Sequence, residues 1–149
     1  MKRSNKTNRD SYTEQVHILT QADMNGYNRL FGGRLMEWID TTAAVVARRH
    51  SGHNVTTAAV SQLNFLGPAY ANDTIVLCGV IVYAGRTSMD IRVETFVERL
   101  DGTRERINTA YLVLVALDEH EKPTPVPGLT PAPEYEDEYK AAAQRRKTR

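Results

Sequence analysis

The stretch LFGGRLMEWID, residues 30–40, decides the fold of this chain. Its apolar residues recur at helical spacing behind two glycines, which predicts a long helix from about Gly32 to Arg49. Basic residues occupy positions 48–50 at the end of that helix, where positive charge suits the helix dipole. Gly52 follows and can end the helix in a left-handed conformation.

Asp40 lies on an apolar face of the predicted helix. The residues that share this face at helical spacing are all non-polar, namely Gly33, Met36, Ala43, Ala44 and Ala47. An ionised acid buried there without a partner is costly, so a catalytic use would explain it. The N–H groups at the glycine end of the same helix favour an anion or an oxyanion. The alternative is a structural aspartate that is hydrogen-bonded to a neighbouring element.

The rest of the chain is rich in strand patterns. A short strand is predicted at 15–19, and longer strands with apolar residues at a period near two are predicted at 55–65, 74–83, 88–98 and 106–117. The short, glycine-containing connections favour antiparallel pairing. A helix with so much apolar surface must bury it against another element, and one face of the sheet is apolar and must be buried too. The sequence therefore predicts an α+β fold in which five antiparallel strands wrap around one long central helix.

Three regions follow from the pattern. Residues 1–13 are polar and charged and are predicted to be a disordered N-terminal tail. Residues 14–130 form the folded domain. Residues 131–149 are a C-terminal extension, predicted to be helical from about Glu134 to Arg146, with a basic end.

Composition excludes several classes of protein. The formal net charge is +1, which gives no strong field toward nucleic acid or a membrane surface. Cys78 is the one cysteine, so an intramolecular disulfide is excluded. The N-terminal residues contain no apolar signal region, and a cytoplasmic protein is expected. His50 and His53 are interpreted as exposed loop histidines, because no further ligand cluster supports a metal pair.

Several stretches together resemble the hotdog-fold acyl-CoA thioesterases, in particular their cytosolic acyl-CoA hydrolase branch. These stretches are Ala22-Asp23-Met24-Asn25, residues 30–36 followed by Asp40, VSQLNF at 60–65, GRTSM at 85–89 and KPTPVP at 122–127. The resemblance covers roughly residues 14–129. The set is specific, whereas any one of these stretches alone would be weak.

The resemblance implies a hotdog fold that pairs through its sheet edges into a dimer, with dimers assembled as a trimer of dimers. It also implies hydrolysis of an acyl-CoA to a free acid and coenzyme A, with no cofactor beyond the coenzyme A of the substrate. Asp40 would be the catalytic carboxylate, Asn25 its polar partner, and the N–H of Gly33 the oxyanion donor. Asn28 departs from the family, which usually has glycine there, but asparagine tolerates the left-handed conformation.

The expected substrate contacts lie in two places. Arg86, with Thr87 and Ser88, is predicted to hold the coenzyme A phosphates, since its turn places positive charge at the end of a strand. Asn64 and Phe65 are predicted to line the pantetheine or acyl channel, and Gly32 is predicted to contact the substrate. The alternatives are a solvated turn arginine for Arg86 and a core position for Phe65.

Two other functions compete with the thioesterase. One is a non-catalytic hotdog domain that binds acyl-CoA as a sensor, against which the intact Asp40 and Asn25 argue. The other is a hydratase, which is expected to pair a histidine with the acid, and no histidine follows Asp40 closely. Release of a thiol from acyl-CoA would separate the thioesterase from both.

Overall fold

The structure is a computed structural model, and it describes residues 5–148. In chain order its helices and strands are α1 (Asn8–Ser11), β1 (Thr13–Ile18), α2 (Gly32–Ser51), β2 (Asn54–Phe65), β3 (Thr74–Ala84), β4 (Ser88–Glu98), β5 (Arg104–Leu117) and α3 (Glu136–Lys147). Short 3-10 turns occupy Gln21–Asp23 and Pro133–Tyr135. The long helix and the five strands predicted from the sequence all form.

The five strands make one antiparallel sheet in the order β1-β3-β4-β5-β2. Its concave face wraps around α2, whose Ile39, Ala43 and Val46 are fully buried in the core. The backbone of β3 passes so close to α2 that a Cβ added at Gly79 would lie 2.8 Å from the Thr42 side chain. The predicted hotdog architecture is therefore confirmed.

Strand β2 is an edge of the sheet, and β5 is its only neighbour within residues 5–148. Apart from the half-buried Val55 and Leu63, every residue of β2 is exposed. A twelve-residue strand with an open edge presents a row of backbone groups for pairing. The candidate site described below lies beside this edge strand.

The N-terminal segment differs from the predicted disordered tail of residues 1–13. Lys6 pairs with Leu129 in a parallel bridge, and α1 packs with Asn8 and Ser11 buried. The Asn8 amide donates to the Ile81 carbonyl oxygen (2.7 Å) and accepts from the Ala132 N–H (2.8 Å). These contacts are long-range, so local polarity does not reveal them. Residues 1–4 lie outside the described part of the chain.

The C-terminal helix α3 forms as predicted and packs on the convex face of the sheet. Its Ala142 is fully buried against Val80 and Val82. The Arg146 guanidinium pairs with the nearly buried Asp90 carboxylate at 2.8 Å and lies over the Tyr83 ring. The extension is thus attached to the domain and covers part of its outer surface.

His50 is fully buried in the last turn of α2, so the prediction of an exposed loop histidine is wrong for this residue. The sequence predicts exposure because His50 ends a helix, but the proline-rich segment after β5 folds back over it. The His50 Nε2 lies 2.7 Å from the Pro127 carbonyl oxygen and donates to it. Burial is the main cause that lowers the pKa of His50 below its ordinary value of 6.5, against the opposing effect of the Pro127 bond.

We expect the free energy of unfolding to fall as the pH drops below about 6.5, and His50→Gln to weaken that dependence. The unfolded chain binds a proton at the ordinary pKa of 6.5, whereas folded His50 has a lowered pKa and resists protonation. The contribution of neutral His50 to the free energy of unfolding is therefore fully present above pH 6.5, and it is lost as the pH falls toward the pKa of folded His50. Urea unfolding between pH 5 and 8 measures the slope, with the exposed His120→Gln as control. An unchanged slope in His50→Gln would contradict this assignment.

Candidate active site

Asp40 lies on the side of α2 that is next to the open edge strand β2. It is exposed, whereas the apolar helix face predicted a buried position. Ala43 and Ala47 on the same face are fully buried, but Asp40 is exposed. The stripe of small residues is wider than the part that the sheet covers, and Asp40 sits at its margin next to the edge strand β2. The carboxylate therefore faces a surface that only another chain or a ligand can cover.

Thr57 of β2 holds this carboxylate. Its hydroxyl donates to Asp40 Oδ1 at 2.6 Å, a short, charge-assisted bond. The pairing of β2 with β5 shifts register between Thr57 and Ala59, and such a bulge re-aims the side chains around it. Thr57 was missed from the sequence because threonine is ordinary in a strand. The available signal was a polar residue at the start of the strand that follows the helix.

The start of α2 carries no side-chain cap. Phe31 is the N-cap residue and makes no side-chain capping bond, so the first-turn N–H groups keep their attraction for an anion. A Cβ at Gly33 would lie 2.7 Å from the Phe31 ring, so a larger residue there would displace that exposed ring. A Cβ at Gly32 would lie 3.9 Å from the Phe65 ring, so the helix start and the end of β2 are adjacent.

The loop before α2 is organised by Asn25 and Asp23. The side-chain oxygen of Asn25 accepts from the N–H groups of Tyr27 (2.8 Å) and Arg29 (3.2 Å). Asn28 adopts the left-handed conformation with φ of 59°, which asparagine tolerates. The Asp23 carboxylate accepts from the Thr20 N–H at 2.8 Å and pairs with Arg34 on α2 at 3.3 Å. Within residues 5–148 no hydrogen bond joins Asn25 to Asp40.

The predicted substrate residues fall at opposite ends of the sheet. Asn64 and Phe65 are exposed at the end of β2, and the 56% exposure of Phe65 excludes the alternative of a core position. The turn with Arg86, Thr87 and Ser88 lies at the other end, where the Thr87 carbonyl accepts from Ala116. Twelve residues of extended β2 separate the two ends by roughly 35 Å. One chain therefore does not bring them together.

Two further properties concern the described residues. Between residues 5 and 148, no cluster of three or more histidine, cysteine, aspartate or glutamate side chains could hold a metal ion. No helix in this part of the chain is long and apolar enough to span a membrane.

Comparison with known proteins identifies the family. Residues 27–101 match the model of the thioesterase superfamily. The uncharacterized acyl-CoA thioester hydrolase YkhA of Bacillus subtilis is 39% identical over 115 residues, which cover 76% of this chain and 67% of that protein. Two mammalian relatives are longer: the chain spans 23% of mouse acyl-coenzyme A thioesterase 11 and 34% of rat cytosolic acyl coenzyme A thioester hydrolase.

Solved structures with the same fold cover nearly the whole chain. An apo-hexameric acyl-CoA thioesterase has a TM-score of 0.93 and is 31% identical, covering 97% of this chain and 94% of that one. The acyl-CoA hydrolase of Staphylococcus aureus, solved with butyryl coenzyme A, coenzyme A and coenzyme A disulfide, has a TM-score of 0.89 and is 31% identical, covering 96% and 90%.

The Staphylococcus aureus protein was also solved with alanine in place of an asparagine, an aspartate or a threonine. In that protein the aspartate follows the asparagine by 15 residues, and the threonine follows the aspartate by 17. Asn25, Asp40 and Thr57 have the same two spacings here. The family model, the relatives and the fold agree, and the chain belongs to the thioesterase superfamily.

Proposed function

We propose that this chain is an acyl-CoA thioesterase that hydrolyses acyl-CoA to a free carboxylic acid and coenzyme A. The observation that carries the proposal is the exposed Asp40 carboxylate, which Thr57 of the open edge strand holds at 2.6 Å, on the same helix whose start is uncapped. The names of the relatives and the coenzyme A complexes of a similar protein support the substrate class. A cytoplasmic location is proposed with it, on the name of the rat relative.

The residue types suit this chemistry. A thioester carbonyl is electrophilic and thiolate leaves readily, so hydrolysis needs an activated water and a donor for the oxyanion. Asp40 as general base contributes about 100- to 10,000-fold. A well-aimed N–H at Gly33 contributes about 3 kcal/mol to transition-state stability. The Thr57 hydroxyl occupies Asp40 Oδ1, which leaves the other carboxylate oxygen to take the proton of the water.

Direct attack is the second route open to the same carboxylate. Asp40 would add to the carbonyl carbon, the C–S bond would break, and coenzyme A thiolate would leave a mixed anhydride on Asp40. Water would then cleave the anhydride and restore the carboxylate. Both routes use the same oxyanion donor and release the same products.

We propose that the working unit is a dimer paired through β2, with three dimers in the assembly, as the hexameric relative suggests. Antiparallel pairing of β2 with its copy would satisfy the open edge and cover the Asp40 surface. It would also set the start of one β2 beside the end of the other. The partner subunit's Arg86 would then lie at the same end as Phe65, and a long coenzyme A molecule could contact both.

The direct test is release of coenzyme A thiol, followed with a disulfide dye, from a series of acyl-CoA substrates of increasing chain length. We expect catalytic turnover that is saturable in acyl-CoA. Binding of acyl-CoA without thiol release would instead support the sensor domain.

Thr57→Val is expected to lower kcat about 10- to 100-fold, because a hydrogen bond to a charged group contributes roughly 1.5–3 kcal/mol. Valine has the shape of threonine but leaves Asp40 Oδ1 without its donor. The matched control is Thr57→Ser, which keeps the hydroxyl and should retain most of the activity. Equal kcat for the valine and serine variants in the thiol-release assay would show that the hydroxyl does not orient Asp40.

A further inference from the structure

Two fully buried polar side chains lie unpaired inside the domain. Thr95 of β4 and Asn108 of β5 are direct cross-strand partners, and both have 0% exposure. Among residues 5–148, nothing hydrogen-bonds to the Thr95 hydroxyl or to either polar atom of the Asn108 amide. Buried groups of this kind are rare because each loses its bonds to water without replacement.

Several other buried polar side chains have partners, although within residues 5–148 the Ser11 hydroxyl and His50 Nδ1 do not. Asn8 is equally buried, and its amide bonds to Ile81 and Ala132. The buried hydroxyl of Thr42 has two polar neighbours within hydrogen-bond distance, Gln15 Oε1 at 2.7 Å and the Trp38 carbonyl oxygen at 2.8 Å. Among the described residues, Thr95 and Asn108 are the unpaired groups that lie directly opposite each other on neighbouring strands.

Their position connects them to the candidate active site. In the register of the sheet, Leu77, Thr95, Asn108 and Phe65 form one row across four strands. Thr95 and Asn108 point to the concave face, as do Val93 and Ala110 two residues along their strands, which are buried in the core around α2. At the end of the row, the half-exposed Phe65 ring lies beside Gly32. Asn108, the nearer of the two unpaired residues, therefore lies one strand further into the sheet than Phe65, whose ring lies beside the start of α2.

We propose that Asn108 and Thr95 bind an oxygen substituent on the acyl chain of the substrate, so that hydroxyacyl- or oxoacyl-CoA is preferred over the plain alkyl thioester. This inference rests on the proposed function. An acyl group whose carbonyl lies at Gly33 enters the core when the exposed Phe65 ring turns aside. The Asn108 amide then offers a donor and an acceptor, and the Thr95 hydroxyl offers both. An alkyl chain would leave these groups unpaired.

The test measures binding separately from catalysis. Calorimetry gives the Kd of two non-hydrolysable thioethers, S-butyl-CoA and S-(3-hydroxybutyl)-CoA, which differ only by the hydroxyl. We expect the wild-type chain to bind the hydroxylated analogue about 10- to 100-fold more tightly, because a site built to bond a hydroxyl rejects the analogue that lacks it.

The variants are Asn108→Leu and Thr95→Val, each close in shape to the native residue. We expect the first to abolish the preference and the second to reduce it. Both should fold, since each replaces an unpaired polar group by an apolar one. Thr109→Val is the matched control: it removes a hydroxyl from the next residue of β5, on the opposite face of the sheet, and should keep the full preference.

Several results would overturn the inference. Equal Kd values in the wild-type chain would do so, and so would a preference that survives Thr95→Val and, where it folds, Asn108→Leu. A preference lost in Thr109→Val would show a general effect of the substitutions. Turnover of butyryl-CoA and 3-hydroxybutyryl-CoA is measured in parallel. If neither is hydrolysed, the proposed function fails, and the binding ratio still decides this inference; if neither analogue binds, this inference fails, and the turnover result alone decides the proposed function.

Discussion

Replacement of Asp40 by asparagine is expected to lower thiol release from acyl-CoA by about 100- to 10,000-fold, the contribution of a positioned general base. Asparagine keeps the size of the side chain and its bond from Thr57, but it has no carboxylate to take a proton or attack the carbonyl. Because Asp40 is exposed at the edge of the domain, the fold should be unaffected. The kcat and the thermal unfolding midpoint of the purified variant measure both expectations.

The matched control is Glu37→Gln on the same helix. Glu37 is an exposed carboxylate that pairs with Arg34 at 3.2 Å and lies one turn before Asp40. Its variant should retain nearly full activity. If Asp40→Asn kept near wild-type turnover, Asp40 would be a structural aspartate bonded to Thr57, and the catalytic group would have to be sought elsewhere.

We expect Asn25→Ala to lower turnover as Asp40→Asn does, and a mixture of the two variants to regain activity once their subunits exchange. We place the Asn25 loop of one subunit against Asp40 of the other, because no bond joins the two residues within one chain and the open β2 edge lies beside Asp40. Each mixed dimer would carry one site with both residues intact. With random pairing of two-fold dimers, activity should reach about a quarter of the wild-type value.

Reversible unfolding of the mixture in denaturant is the way to exchange subunits, and differently tagged chains confirm that mixed dimers have formed. The control mixes Asp40→Asn with a chain that carries both substitutions, which rebuilds no intact site and should stay inactive. Confirmed mixed dimers without recovered thiol release would mean that Asn25 and Asp40 work within one chain.

Periodicity predicts most of this fold. The helix was expected over Gly32–Arg49 and extends to Ser51, and the four long strands begin and end within two residues of the predicted positions. These elements follow the pattern because each buries a continuous stripe against another, which fixes the apolar spacing. Thr13 and Glu14 were missed in β1, since the polar residues of that edge strand weaken its alternation.

The site was predicted less completely than the fold, because its geometry depends on residues that are close in space but distant in sequence. The sequence pointed to Asp40 but placed it in a buried setting, since helical spacing does not show where the sheet ends. Its signal for Thr57, a polar residue at the start of a strand, was too ordinary to single it out, because the contact with Asp40 forms beside a bulge in that strand. The burial of His50 and the unpaired Asn108 likewise arise from long-range packing.

The contacts of Asn8 have a practical consequence for anyone who shortens this chain. The sequence pattern invites a truncation at the first strand, which would remove a segment that looks like a dispensable leader. That cut would strip the buried Ile81 carbonyl and the Ala132 N–H of their shared partner, and it would undo the bridge between Lys6 and Leu129. The unit that folds independently is therefore longer than the unit that the apolar pattern outlines, because its first residues hold the segment that leads into its last helix.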